Sequence, residues 1–222
     1  MCWNKEVSFG SYGIIVLVGY LLFRRNLNND RFLSLFILSY GGMQLLEGII
    51  WVGIEQNNVS INKFGSILAC LLLYLHPIAL CIGIYYDKYY RNILDSTIVK
   101  IFLIVALLII LIPIYMIIKT LVSKKPAYTL MSYAHNVNKH LTWDFPSNYY
   151  FIVVIYVLLF VLFIIYPKNK KFSLMVASYY FIPPIIIGYL YGIHKYSVFG
   201  SYWCWISAFF AFIFYIVNPY LQ

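Results

Sequence analysis

Seven apolar runs divide the chain, and each is close to the length of a membrane-spanning helix. A helix needs about 20 apolar residues to cross a hydrocarbon core roughly 30 Å thick. Of the 222 residues, 63% are hydrophobic and 10% are charged, whereas a soluble domain is about 25% charged. These values exclude a water-soluble globular fold and a disordered chain. The predicted spans are Phe9–Phe23, Phe32–Ile54, Phe64–Tyr85, Thr97–Ile118, Tyr149–Tyr166, Phe172–Ile193 and Gly200–Val217.

The composition of the runs favours helices. They are rich in Ile, Leu, Phe and Tyr and lack a strict polar and apolar alternation, which argues against an outer-membrane barrel. We therefore predict an all-α membrane protein, a single domain over residues 1–222 that forms a seven-transmembrane-helix bundle. The first eight residues contain no apolar signal region, so we expect no cleaved signal peptide.

The distribution of basic residues predicts the orientation. The net charge is +9, and most of the sixteen Lys and Arg lie between the apolar runs, where they are expected to meet lipid headgroups rather than nucleic acid. The positive-inside rule predicts an N-terminus outside and a C-terminus in the cytosol. It places Asn58, a glycosylation candidate in the sequon Asn58-Val59-Ser60, on the outside. The basic residues of the three cytosolic loops are Arg24, Arg25 and Arg31, then Lys88, Arg91 and Lys100, then Lys168, Lys170 and Lys171.

The first three and the last three spans share short sequence matches. Ser39-Tyr40 matches Ser178-Tyr179, and Gly65-Ser66 with Cys70 matches Gly200-Ser201 with Cys204. These matches predict parallel repeats over 9–90 and 149–220, joined by a linker helix at 97–118. Chance matches within a reduced membrane alphabet are the alternative. The 3+1+3 layout resembles the SWEET and PQ-loop transporters, but the chain contains no Pro-Gln dipeptide, so no family residue is carried over.

A few polar residues fall inside the predicted spans. A charge in mid-membrane costs roughly 2.5–3.5 kcal/mol on insertion scales, so such residues are functional hypotheses by default. Glu47 lies just past the centre of span two, and His76 lies near the centre of span three, before Pro77. Because the two spans are antiparallel, we expect His76 to approach Glu47, with Pro77 breaking the helix and exposing carbonyls. At about 100° per residue, one face of span two carries Gly41, Gln44, Glu47, Gly48 and Trp51.

Spans six and seven supply further candidates. Pro183 and Pro184 break span six at mid-depth, as in a discontinuous binding-site helix. The start of span seven is predicted to lie on the same outer side as the end of span two. Glu47, Trp51 and the segment Trp203–Trp205 are therefore expected to line one outward-opening cavity for a proton, an ion or a substrate. Small residues of span seven also form a stripe at helical spacing, which predicts a packing seam at Ser201, Cys204, Ala208 and Ala211. The span-seven site candidates are Ser201, Trp203, Cys204 and Trp205.

Each candidate also has a structural interpretation. Glu47 could be protonated and donate a hydrogen bond between helices, and His76 could satisfy the backbone beside Pro77. The tryptophans could be interfacial anchors, and Gly41 and Gly48 could serve helix packing. Both interpretations are open at the level of the sequence.

The chain lacks residues that several classes of seven-span membrane protein require. Span seven contains no lysine to hold a retinal, and no H-x-x-x-H pair is present for a zinc hydrolase. The four cysteines form no C-x-x-C pair, so neither a metal site nor a disulfide framework is predicted, and those within spans are expected to be small buried thiols. With no nucleophile and base pair either, we predict no cofactor, no metal and no enzymatic activity. Tyr86-Asp87-Lys88-Tyr89 and Asn218-Pro219-Tyr220 weakly match the motifs of G-protein-coupled receptors, with the wrong spacing in the second.

Two longer strings carry a further resemblance. They are Gln44-Leu45-Leu46-Glu47-Gly48-Ile49-Ile50-Trp51 and Gly200-Ser201-Tyr202-Trp203-Cys204-Trp205. They resemble an uncharacterised seven-transmembrane family of large DNA viruses and some protists, and the resemblance covers most of the chain. It implies a multi-pass protein in a host or viral membrane and supplies no activity.

The sequence therefore predicts a small-solute transporter or a proton-coupled channel. In this hypothesis Glu47 is the proton or cation site, modulated by His76, and Gln44, Trp51 and Trp203 contact a solute. The expected partners are the lipid bilayer and a small solute or proton. The long outer connection, with Trp143 and Pro146, is expected to cap the cavity as a short interfacial helix or a lid. The alternative is a receptor-like or structural membrane protein whose polar residues hold helices together.

Overall fold

The computed structural model describes residues 4–27, 29–87, 97–122, 131–134, 141–144 and 208–221, and the single positions 171, 174, 175 and 178. These residues are mainly helical. The helices are α1 (Lys5–Arg25), α2 (Asp30–Glu55), α3 (Val59–Tyr86), α4 (Thr97–Ile109), α5 (Leu111–Val122) and α6, described over 208–217 and continued by a 3-10 turn at Asn218–Leu221. Two strands, β1 (Met131–Ala134) and β2 (Leu141–Asp144), pair with each other.

Helices α1, α2 and α3 are each long and apolar enough to cross a membrane. They contain the first three predicted spans, and each extends beyond its span at both ends. Side chains cap the N-terminal ends of α1 and α3: Asn4 accepts a bond from the Val7 amide at 2.8 Å, and Asn58 accepts bonds from the amides of Ser60 and Ile61. Three such helices fit an integral membrane protein.

The three helices run up, down and up, with α2 packed against both α1 and α3. The turn after α1 is tight because Asn26 and Asn29 take up left-handed backbone conformations, which asparagine tolerates better than most residues. The ends of α2 and α3 also approach closely. A Cβ on Gly53 would lie 2.5 Å from the backbone nitrogen of Asn62, so only glycine allows this approach. The arrangement makes α2 the central helix of the described part.

The fourth predicted span is helical but interrupted. The sequence predicts one helix over Thr97–Ile118, whereas the structure has α4 ending at Ile109 and α5 beginning at Leu111. The cause is Pro113, which has no N–H to offer the carbonyl of Ile109 and whose ring clashes with that carbonyl. The bond from the Ile114 amide to the Ile110 carbonyl, at 3.4 Å, continues the helical path beyond the break.

The long outer connection contains a β-hairpin. Strands β1 and β2 are antiparallel, with Ser132 opposite Trp143, so the expected short interfacial helix is wrong for these residues. Leu141 is buried in an apolar cluster with Ile50 and Trp51 of α2. Burial of this leucine fixes the hairpin on the C-terminal half of α2, on the side where the sequence predicts a cap.

The later predicted spans lie mostly outside the described residues. Nothing of Tyr149–Tyr166 is described, single positions represent Phe172–Ile193, and Gly200–Val217 is described from residue 208. The seven-span count and the repeat of 9–90 in 149–220 therefore stay predictions. In α6, the predicted packing seam is confirmed at Ala208 and Ala211, which are both buried in the main apolar core.

Candidate functional site

The polar face of α2 is buried. Gln44 and Glu47 are 0% exposed, and Trp51 is 6% exposed. The three side chains occupy one flank of α2, at about 100° per residue. The glycines beside them face α1, since Cβ atoms on Gly41 and Gly48 would collide with Ile15 and Phe9. The structural interpretation of these two glycines, close helix packing, is therefore confirmed.

Glu47 lies well inside the length of α2. It lies eight positions before Glu55, the last residue of the helix, which is about 12 Å at 1.5 Å per residue. The distance back to Asp30 is about 25 Å on the same scale. A helix of this length is long enough to cover the hydrocarbon thickness, and the carboxyl group lies nearer to the end of α2 that the sequence predicts to be outside.

His76 contacts another part of α2. Its Nε2 lies 3.1 Å from the carbonyl oxygen of Ser39, and its ring stacks on Tyr40 with centroids 4.2 Å apart. Because a carbonyl oxygen only accepts, Nε2 carries the hydrogen and donates. Nδ1 has no hydrogen-bond partner in the part of the chain that the structure describes. The expected approach of His76 to Glu47 is therefore not found, since Ser39 lies about 12 Å before Glu47 along the helix.

Pro77 does not break its helix. Helix α3 is continuous from Val59 to Tyr86, and Pro77 is buried inside it. The lost backbone bond is tolerated because packing against α2 holds the helix on both sides of the proline. The predicted helix break at Pro77 is therefore wrong.

Asn58 caps α3. Its Oδ1 accepts bonds from the amides of Ser60 and Ile61, at 3.1 and 3.2 Å. The residue is exposed in the turn between α2 and α3. Glycans attach to the other side-chain atom, Nδ2, so glycosylation at Asn58 stays a prediction.

The remaining predicted site residues lie outside the described residues: Ser201, Trp203, Cys204, Trp205, Pro183 and Pro184. Their contribution to a cavity with Trp51 stays a prediction. Cys70 and Cys81 are buried free thiols, as expected for small residues within spans. Among the described residues, no three His, Cys, Asp or Glu side chains come together as a metal-binding group.

A second polar cluster lies at the other end of the bundle, and the sequence did not reveal it. It consists of Arg25, Asp30, Tyr215 and Asn218, and we call it the end cluster. Arg25 donates from Nε to Asp30 Oδ2 at 2.8 Å and from Nη2 to Asp30 Oδ1 at 2.7 Å. Asn218 donates from Nδ2 to Asp30 Oδ1 at 2.7 Å. The cluster therefore joins the turn between α1 and α2 to the C-terminal part of the chain.

The Asp30 carboxylate is fully satisfied although it is 0% exposed. Besides the three side-chain bonds, it accepts the amide of Leu27 at 2.9 Å, which fills all four acceptor sites of a carboxylate. The negative charge also lies in the first turn of α2, where the helix dipole favours it. These contacts make burial of the charge tolerable.

Two features of the sequence, neither used above as evidence for a site, are consistent with the end cluster. The first is Asp30, an acidic residue beside Arg24, Arg25 and Arg31 in a chain with only seven Asp and Glu. The second is Pro219, which has no N–H for the carbonyl of Tyr215, four residues earlier. Arg25 Nη1 occupies that position, 2.6 Å from the Tyr215 oxygen. Neither feature indicates which distant residue is the contact partner.

Comparisons with known proteins give no relative for this arrangement: no protein family, no characterised protein and no solved structure matches the chain. The buried polar face of α2 and the end cluster are therefore the features of the described residues that bear on function.

Proposed function

We propose that the protein is a multi-pass membrane protein with seven spans that moves a small solute or protons, and that Glu47 is its proton or cation site. The observation that carries the proposal is a fully buried carboxyl group inside a membrane-length helix, one turn from the fully buried amide of Gln44. Ionisable groups at that depth are rare and line substrate or ion pathways.

The chemistry of a carboxyl group suits this role. Ionised, Glu47 only accepts hydrogen bonds and attracts a cation; protonated, it is neutral and can also donate. The two forms therefore favour different neighbours, and a proton or cation that binds one form shifts the conformational equilibrium. Gln44 and Trp51 lie on the same flank of α2, and in this proposal they contact a solute beside Glu47.

A second function is supported by other contacts of the same helices. Ser34 Oγ donates to the carbonyl of Gly19 on α1 at 2.7 Å, and His76 donates to α2 in a similar way. In both cases a buried polar side chain joins two helices. If Glu47 acts likewise, the protein is receptor-like or structural and has no transport activity.

The test is proton flux into liposomes that contain the purified protein, under an imposed membrane potential. Glu47→Gln keeps the size of the side chain and, like the protonated acid, can both donate and accept hydrogen bonds, but it cannot ionise. Glu55→Gln is the matched control, because it removes an exposed carboxylate from the same helix, where Glu55 pairs with Lys5. Both variants must show the wild-type circular dichroism spectrum and melting temperature before flux is compared.

We expect flux in the wild type and in Glu55→Gln, and loss of flux in Glu47→Gln. The same pattern with a solute gradient in place of a potential would identify a coupled solute. Equal flux in all three proteins would show that Glu47 is not part of the pathway. Absence of flux in all three, with and without candidate solutes, would favour the structural function.

A further inference from the structure

The end cluster and the polar face of α2 lie at different depths of the same helix. Asp30 begins α2, and Glu47 lies 17 residues later, about 25 Å along the axis. A path from Glu47 to the predicted cytosolic side must therefore pass the end of the bundle where Asp30 binds Asn218.

Apolar contacts continue inward from the end cluster. Phe214 of α6 packs against Phe36 of α2 with ring centroids 6.1 Å apart, and both rings belong to the main apolar core together with Ala211. The C-terminal helix therefore lies along the first half of α2. The end cluster is the polar edge of that interface.

The contacts of Arg25 depend on α6 being in this position. Pro219 leaves the Tyr215 carbonyl without its helical partner, and Arg25 Nη1 donates to that oxygen. The Arg25 guanidinium also lies over the Tyr215 ring, 4.4 Å from its centroid. If α6 moves away, Arg25 loses both contacts but keeps its paired bonds to Asp30, which lie within the turn between α1 and α2.

Because α6 shares only some of the contacts of the end cluster, it can separate from the turn between α1 and α2 and return. The Arg25–Asp30 pair is local and stays neutralised in both states, so no isolated charge is left behind. The groups that separate are one amide, one carbonyl and one aromatic ring at the end of the helices, where water can replace the lost hydrogen bonds. The same contacts in mid-membrane would have no such replacement.

We propose that the end cluster is a latch that closes the predicted cytosolic end of the bundle, and that α6 separates from the turn between α1 and α2 when this end opens. The role of the latch as a gate rests on the proposed transport function. The reversible opening of the contact does not depend on that function. Asn218 and the Tyr215 carbonyl are the moving half, and the Arg25–Asp30 pair is the fixed half.

The test measures the distance between spin labels at Leu27→Cys and Tyr220→Cys in the full chain in lipid nanodiscs. These positions are 40% and 81% exposed and lie on the two halves of the latch. The four native cysteines are replaced by serine or alanine. The test variants are Asn218→Ala, which alters only the moving half, and Asp30→Asn, which removes the charge. Arg24→Gln is the matched control, because Arg24 is the exposed neighbour of Arg25.

We expect one short distance in the wild type and in Arg24→Gln. In Asn218→Ala and Asp30→Asn we expect the population at a longer distance to rise by about tenfold, the effect of losing a hydrogen bond to a charged group. Unchanged distances in both variants, with wild-type circular dichroism, would overturn the latch.

Flux through the cross-linked protein tests separately whether the latch acts as a gate. A disulfide or short cross-link between the cysteines at 27 and 220 should abolish flux, and reduction or cleavage should restore it. Flux that persists in the cross-linked protein would overturn the gate. If the wild type shows no flux at all, the proposed function fails, and the distances still decide whether the latch exists. If the distances fail to change, flux in Glu47→Gln still decides the proposed function.

Discussion

His76 donates from Nε2 to the carbonyl oxygen of Ser39 across 3.1 Å, and its ring lies flat against Tyr40. This contact joins α3 to α2 about two turns from Glu47. It gives His76 a structural contact with α2 at a level of the bundle different from that of the carboxyl group.

Substitutions of His76 should therefore reduce stability, and by more when the aromatic ring is also removed. His76→Phe keeps an aromatic ring against Tyr40 but loses the donor, and we expect it to lower the free energy of unfolding by about 1 kcal/mol. His76→Ala also loses the stacking and leaves a cavity, for an expected loss of about 2–4 kcal/mol. Chemical denaturation in mixed micelles measures both. Equal losses in the two variants would show that the ring contact contributes nothing.

Gly53→Ala should disturb the junction of α2 and α3. The new methyl group would lie 2.5 Å from the backbone nitrogen of Asn62, and backbone cannot move aside as a side chain can, so we expect a loss of about 1–3 kcal/mol. Gly10→Ala is the control, because nothing lies within 4 Å of its Cβ position. There the better helix propensity of alanine should leave stability unchanged or raise it by up to about 1 kcal/mol. A stabilising Gly53→Ala would contradict the close approach.

Leu141→Ala should loosen the hairpin without melting the helices. Leu141 is fully buried in the cluster that contains Trp51, and removing its side chain costs about 2 kcal/mol or more. Amide hydrogen exchange over 131–144 should become at least about tenfold faster, while exchange in α2 and α3 stays unchanged. Leu121→Ala, at an exposed position of α5, should change neither. Slow exchange in Leu141→Ala would mean that the hairpin is held by other contacts.

The Arg25–Asp30 pair should be strongly coupled. Asp30→Ala leaves Arg25 without its buried partner, so we expect a loss of about 3 kcal/mol, whereas Arg24→Ala should stay within about 0.5 kcal/mol of the wild type. In a double-mutant cycle, Arg25→Ala and Asp30→Ala should show a coupling energy of about 1–3 kcal/mol. Additive losses would indicate that the two residues act separately.

The candidate site could be predicted in part. The burial of Gln44, Glu47 and Trp51 follows from helical spacing, because residues three, four and seven apart share a helix face. The level at which His76 meets α2 did not follow, because it depends on the axial offset between two helices. Hydropathy is a property of each span alone, so it contains no information about that offset. Closely packed glycines fix it, for example Gly53 against Asn62 and Gly65 against Ile50.

The sequence by itself determined that the chain is a helical membrane protein and where its first three helices run. Those features depend on apolar length, helical period and charged ends, which are all local properties. Only the tertiary structure decided that Asp30 binds Asn218, 188 positions away, and that His76 binds at Ser39. A polar group buried in a membrane must find a partner, but the choice among partners depends on how the helices pack. That packing is set by the whole bundle and by no single segment.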